Sequence, residues 1–68
     1  MQNVQFGDIF QIGDIVLHVV DVNTKRTAVW ASRDSEGMNQ ALYKVYTDKV
    51  GNYIRFPGTK IKAYQVQR

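Results

Sequence analysis

The stretch Ile15–Val22, IVLHVVDV, constrains this chain more than any other. At the two-residue period of a strand, Ile15, Leu17 and Val19 face one way while Val16, Val20 and Val22 face the other, so both sides are apolar. Such a strand needs cover on both faces. It therefore belongs in the middle of a sheet that curls on itself, with His18 as the interruption of its apolar faces.

The chain around it is short. A length of 68 residues implies one domain, and a domain of that size buries only about 60% of the surface its unfolded chain exposes. With no cysteine, neither a disulfide nor a thiolate zinc site adds stability, and no thiol nucleophile exists. Apolar packing or self-association must hold the fold. A hydrophobic share of 44% against 22% charged residues is globular usage and not that of a disordered chain.

Turn chemistry divides the rest into strands. Residues 6–12, FGDIFQI, are followed by Gly13-Asp14, a two-residue break suited to a tight hairpin that pairs Ile9 to Ile12 with the start of Ile15–Val22. Asn23-Thr24-Lys25-Arg26 makes a second turn before residues 27–32, TAVWAS. Residues 33–40, RDSEGMNQ, read as a loop; one helical turn there is the alternative, or a helix over about residues 35–44 with Asp34 or Ser35 as its cap. The Tyr, Val and Thr of LYKVYT favour a strand after it. DKVGN at 48–52 turns again, a short strand at 53–56 ends at Pro57-Gly58, and residues 60–66, KIKAYQV, form a last strand with a bulge expected between Ala63 and Tyr64.

Short strands with a turn every 8 to 12 residues or so give an all-β fold, a small antiparallel barrel of five to six strands. The connected meander with its one long loop resembles the small SH3-like barrels of ribosomal, transcriptional and phage or plasmid proteins. A second resemblance rests on Asp34, Met38-Asn39 and Leu42 followed by IRFPG. It is similar to the Sm and Hfq-type RNA-binding barrels, and it implies Asn39 and Arg55 as RNA contacts. The chain departs from that pattern where Asp34 stands one residue too far from Met38, where Phe56-Pro57 separates Arg55 from Gly58, and where a hairpin replaces the family's first helix.

Groups for catalysis are sparse. His18 is the sole histidine, flanked by Leu17 and Val19, and reads as a structural residue of its strand. Asp8, Asp14 and Asp21 lie at turns and strand ends, where carboxylates bond nearby backbone amides. No enzyme, metal or cofactor is expected. No apolar run approaches the roughly 18 residues of a membrane span, and MQNVQFGD lacks the basic head and apolar core of a signal peptide, so a cytoplasmic protein away from membranes is expected.

The charge distribution is more informative. The formal net charge is +3. Residues 1–22 carry Asp8, Asp14 and Asp21 without a Lys or Arg, while residues 41–68 carry Lys44, Lys49, Arg55, Lys60, Lys62 and Arg68 against Asp48 alone. Within that basic half, Lys44 and Tyr46, Tyr53 and Arg55, and Lys62 and Tyr64 are each two residues apart, so each pair shares a face of its strand. If register joins those faces, cations meet phosphates and rings meet unpaired bases.

The leading expectation is thus a non-enzymatic binding module for nucleic acid, single-stranded DNA or RNA, through Lys44, Tyr46, Tyr53, Arg55, Lys60, Lys62 and Tyr64. The alternative is a small protein-interaction module, for example a phage-type factor that binds and modulates a host protein, or a homo-oligomer subunit. It calls for exposed apolar residues among Phe6, Phe10, Trp30 and Met38, and makes Trp30, Lys25 and Arg26 candidate partner contacts. Trp30 itself is expected inside, because a core this small needs its largest ring.

Overall fold

Gly13-Asp14 is the two-residue loop of a tight hairpin in the computed structural model of the chain, which describes residues 4–66. Ile12 and Ile15 face each other across it, and Gly13 has a φ of +55°. Glycine as the first central residue of a two-residue loop is the type II′ arrangement, whose twist matches the strands it joins. From this hairpin the chain continues as a meander of β1 (Ile9–Ile12), β2 (Ile15–Val22), β3 (Ala28–Ser32), β4 (Ala41–Thr47), β5 (Asn52–Arg55) and β6 (Lys62–Gln65). Each strand is antiparallel to the next, and β6 returns to β1 through Phe10 opposite Gln65 and Gln11 opposite Tyr64. The fold is a closed six-strand antiparallel barrel. Closure leaves no strand edge unpaired, which a short chain without disulfides needs as much as a core.

Val4, Phe10, Leu17, Val19, Val29, Ala31, Val45, Ile54 and Ala63 fill the interior, with Ile15, Val22, Tyr43 and Phe56 packed against them. Two expectations fail here. Trp30 is 41% exposed, because β3 points Val29 and Ala31 inward and alternation sends the indole out. Six short strands enclose little volume, and Phe10 and Ile54 with smaller side chains already occupy it. Nor is there a bulge in β6: Arg55, Ile54 and Tyr53 pair in unbroken register with Lys62, Ala63 and Tyr64. That register turns Gln65 inward instead of Val66.

Gln65 points inward because polar partners wait there. Thr47 Oγ1 donates to Asn52 Oδ1 (2.8 Å), Asn52 Nδ2 to Gln65 Oε1 (3.0 Å), and Gln65 Nε2 to Asp8 Oδ2 (2.9 Å), which also accepts the Gln5 N–H (2.8 Å). This chain of hydrogen bonds ties the β4–β5 hairpin and β6 to the segment that leads into β1.

The irregularity lies in β2. Val19 faces Ala31 and Asp21 faces Trp30, so Val20 is an extra residue with no opposite number. The bulge reverses the alternation, and Val22, expected on the same side as Val16 and Val20, packs against the core. Val20 is covered from outside by the loop at residues 33–40. This loop contains turns and no helix, and β4 begins at Ala41, so neither helical alternative forms.

Asp34 organises that loop. Its carboxylate accepts the Ser32 hydroxyl (2.6 Å) and the backbone N–H groups of Met38 (2.9 Å), Asn39 (3.3 Å) and Glu36 (3.0 Å). The Ser32 bond first, then those amides, lower its pKa from 3.8 to about 2. A depressed carboxylate stabilises the fold above its unfolded value and loses that contribution as pH falls toward its folded value. Stability should therefore decline between pH 3.8 and about 2, and Asp34→Asn should flatten that limb of an acid titration followed by circular dichroism.

Gly37, at φ +78°, lies so close to β2 that a Cβ would stand 3.1 Å from Val20 Cγ1 and 3.2 Å from Gln40 Nε2. Gly37→Ala combines strain with crowding and should destabilise the barrel by about 1–2 kcal/mol, read as a lower urea midpoint at unchanged slope.

Candidate functional site

The three Lys/Tyr and Arg/Tyr pairs of the basic half do converge. Val45, Ile54 and Ala63 face inward, so on β4, β5 and β6 the residues beside them point out. Tyr46 stands opposite Tyr53, and Tyr53 opposite Tyr64. Arg55 stands opposite Lys62, and continuing the register of Val45 with Ile54 brings Lys44 level with Arg55. The outer face of three adjacent strands thus carries a row of tyrosines beside a row of cations.

The rows touch. Tyr46 and Tyr53 stack with centroids 5.5 Å apart and planes at 21°, and Tyr53 meets Tyr64 at 5.4 Å and 55°. The Lys44 Nζ lies 5.7 Å and the Arg55 guanidinium 6.0 Å from the Tyr46 centroid, while the Lys62 Nζ lies 4.7 Å from that of Tyr53. Such cation–π contacts hold long side chains in place at modest energy, roughly 0.5–1 kcal/mol each at exposed sites. They also cover the ring faces. All three tyrosines are half-buried, and Tyr46 and Tyr53, each stacked on the other and approached by a cation, are not open platforms.

Two shallow clefts flank Arg55. One, of about 270 Å³, lies between Arg55, Lys44 and Tyr46 and the turn at Phe56, Pro57 and Thr59. The other, of about 370 Å³, is lined by Tyr53, Arg55, Lys60 and Lys62, which brings Lys60 into the same surface. The turn between them is closed by the Thr59 N–H on Phe56 O (3.1 Å). Arg55 Nη2 donates to Thr59 O (3.4 Å), which aims the guanidinium along the wall shared by both clefts.

One acid borders the face. Asp48 Oδ2 accepts the Tyr64 hydroxyl at 2.7 Å and lies 3.5 Å from Lys62 Nζ, while Oδ1 accepts the Val50 N–H (2.8 Å) and that of Gly51 (3.3 Å). The Tyr64 bond is the main reason that Asp48 titrates below the usual carboxylate range, with the backbone amides and Lys62 adding to it. Tyr64 is raised by the same bond, and Lys62 is held above the usual lysine range by the Tyr64 and Tyr53 oxygens and then by Asp48. At neutral pH Asp48 and Lys62 are charged and Tyr64 is not. Asp48 is visible as the lone acid of the basic half, but its hold on Tyr64 depends on the β5–β6 register, which sets Tyr64 opposite Tyr53 beside the turn that carries Asp48.

The other candidates lie elsewhere. Trp30 points outward on β3, opposite Leu42 (55% exposed) and Asp21. Phe6 and Met38 are exposed at separate loops, whereas Phe10 is fully buried and offers no contact surface. Arg26 Nη1 donates to the Val4 carbonyl (2.8 Å), which fastens the N-terminal segment, and Lys25 stands exposed in the same turn. Asn39 lies in the loop above β4, its N–H on Asp34, and Arg68 is outside the described residues. His18 is half-buried between Ile9 and Ser32. Among the described residues no cluster of His, Cys, Asp or Glu suits a metal ion, and no helix is long and apolar enough to cross a membrane. No family model matches the sequence, and neither a curated protein nor a solved structure does.

Proposed function

We propose that the protein is a non-enzymatic binding module that holds single-stranded nucleic acid on the outer face of β4, β5 and β6. One observation carries this reading: register brings Lys44, Arg55 and Lys62 into a row across three strands, with Lys60 beside them. A row of cations on a curved sheet follows a flexible phosphate backbone, and contacts with Tyr46 and Tyr53 hold the long cationic side chains in place. Asp48 competes for Lys62. The barrel's meander and turn spacing also suit the SH3-like comparison, a scaffold that hosts many binding functions and so does not itself identify a ligand.

Titration of a labelled oligothymidylate at two salt concentrations tests the proposal. About three phosphate contacts to a single strand give a slope of about −2 in log affinity against log salt, hence roughly 20-fold weaker binding at about 200 mM than at about 50 mM. Absence of binding at the lower salt removes the proposal. Asp48→Asn should free Lys62 and raise affinity by up to about fivefold in the same titration, with a smaller gain at high salt.

The second reading, a protein-interaction module for a host protein or for another copy of this chain, is favoured by Trp30 and Leu42 exposed side by side. It predicts a concentration-dependent mass in sedimentation or a complex that survives at high salt. A salt-sensitive complex with an oligonucleotide and a monomeric free protein favour the first reading.

A further inference from the structure

The faces of Tyr46 and Tyr53 carry rings and cations, whereas Trp30, 41% exposed, stands at the end of the same surface with neither over it. Trp30 lies opposite Leu42 on β4, and Lys44 is two residues further along β4 on the same outer side. The diagonal between such positions is about 7–8 Å at the backbone, within reach of an aromatic ring and a long cation. Ala28, opposite Lys44, places only a methyl between them. Among the described residues no ring and no cation lies over the Trp30 indole, in contrast to Tyr46 and Tyr53.

Resting on the nucleic-acid reading above, we infer that Trp30 is the base-stacking subsite of this face: an unpaired base lies on the indole, with Leu42 at its edge, while the adjoining phosphate reaches Lys44. The chain's outer face is then divided by chemistry. β3 and the start of β4 take a base, and the row from Lys44 to Lys62 takes the phosphates. Stacking is sequence-tolerant because every base has a π-face, so the subsite requires a base without selecting one. It also needs the base unpaired, which disfavours duplexes.

Trp30 is the only tryptophan, so its emission reports directly on the subsite. The experiment titrates the full chain with an oligothymidylate and with an abasic deoxyribose-phosphate strand of equal length at low salt. The expected result is quenching of Trp30 by the first and not by the second. Trp30→Ala should weaken oligothymidylate binding at least about fivefold while leaving abasic-strand binding unchanged, and Trp30→Phe should restore most of the loss. Salt-sensitive binding of the oligothymidylate with unchanged emission, and with equal affinity for Trp30→Ala, overturns the subsite and leaves the nucleic-acid reading standing. Failure of both strands to bind overturns both. A matching thermal melt for Trp30→Ala separates a lost contact from a lost fold.

Discussion

Phe10→Ala leaves this chain unfolded at 25 °C in dilute buffer. Phe10 is fully buried, at the strand pair where β1 meets both β2 and β6, so it lies at the seam that closes the barrel. Truncating a buried phenylalanine costs about 3–5 kcal/mol, as lost transfer energy plus an unfilled cavity. A single core in a domain of this size rarely supplies more than about 3–5 kcal/mol in total. The two quantities are comparable, so one substitution removes the margin. Far-ultraviolet circular dichroism and amide proton dispersion check it, and Phe10→Leu, which keeps most of the volume, should still fold. A folded Phe10→Ala with a cooperative melt would mean that the interior relaxes around the cavity or that self-association contributes stability.

The largest functional effect should follow from Arg55→Glu. Arg55 borders both clefts and lies in the middle of the cation row, opposite Lys62 and level with Lys44. On the proposed function, reversing its charge removes one phosphate contact and places a repulsive carboxylate in the path of the strand. Affinity for an oligothymidylate at about 50 mM salt should fall by on the order of tenfold or more, and the salt slope should become shallower. The fold should be spared, since Arg55 is exposed and its internal contacts are a long hydrogen bond to Thr59 O and a cation–π contact with Tyr46. A melt within a few degrees of the parent is the control. Lys49→Glu, in the turn beyond Asp48 and outside both clefts, should weaken binding less.

Much of the barrel was legible because local chemistry and global closure agree in it. The Gly13-Asp14 hairpin, the loop at residues 33–40 and the turn at Pro57 each have a backbone reason that operates over a few residues. The shared faces of Lys44 with Tyr46, Arg55 with Tyr53 and Lys62 with Tyr64 are legible for the same cause, since a two-residue spacing gives a shared face wherever no bulge intervenes. What could not be read depends on neighbours distant in sequence. Val20 is an extra residue only because Ala31 and Trp30 pair as they do, and nothing in IVLHVVDV marks where the alternation reverses. Size alone would place Trp30 inward, but the narrow interior decides by volume, and Val29 and Ala31 fit it. Gln65 faces in because Asn52 and Asp8 await it from two other segments. A bulge between Ala63 and Tyr64 would instead have turned the apolar Val66 inward.

The candidate face divides in the same way. Its residues were identifiable, but their relation to one another was not. Rings and cations that would each be free on a flat strand are here packed together, and on the proposed function this assigns the phosphates to the cation row and the base to Trp30. Asp48, a turn residue by its local bonds, meets Lys62 once β5 and β6 pair.

The most direct test is residue-resolved: amide chemical-shift mapping of the full chain against an oligothymidylate at low salt. The account predicts perturbations concentrated in β4, β5 and β6 and at Trp30 and its neighbours in β3, strongest around Lys44, Arg55 and Lys62, and reversed by added salt. Perturbations centred instead on Phe6 and the turn holding Lys25 and Arg26, or spread evenly over the barrel, would contradict it.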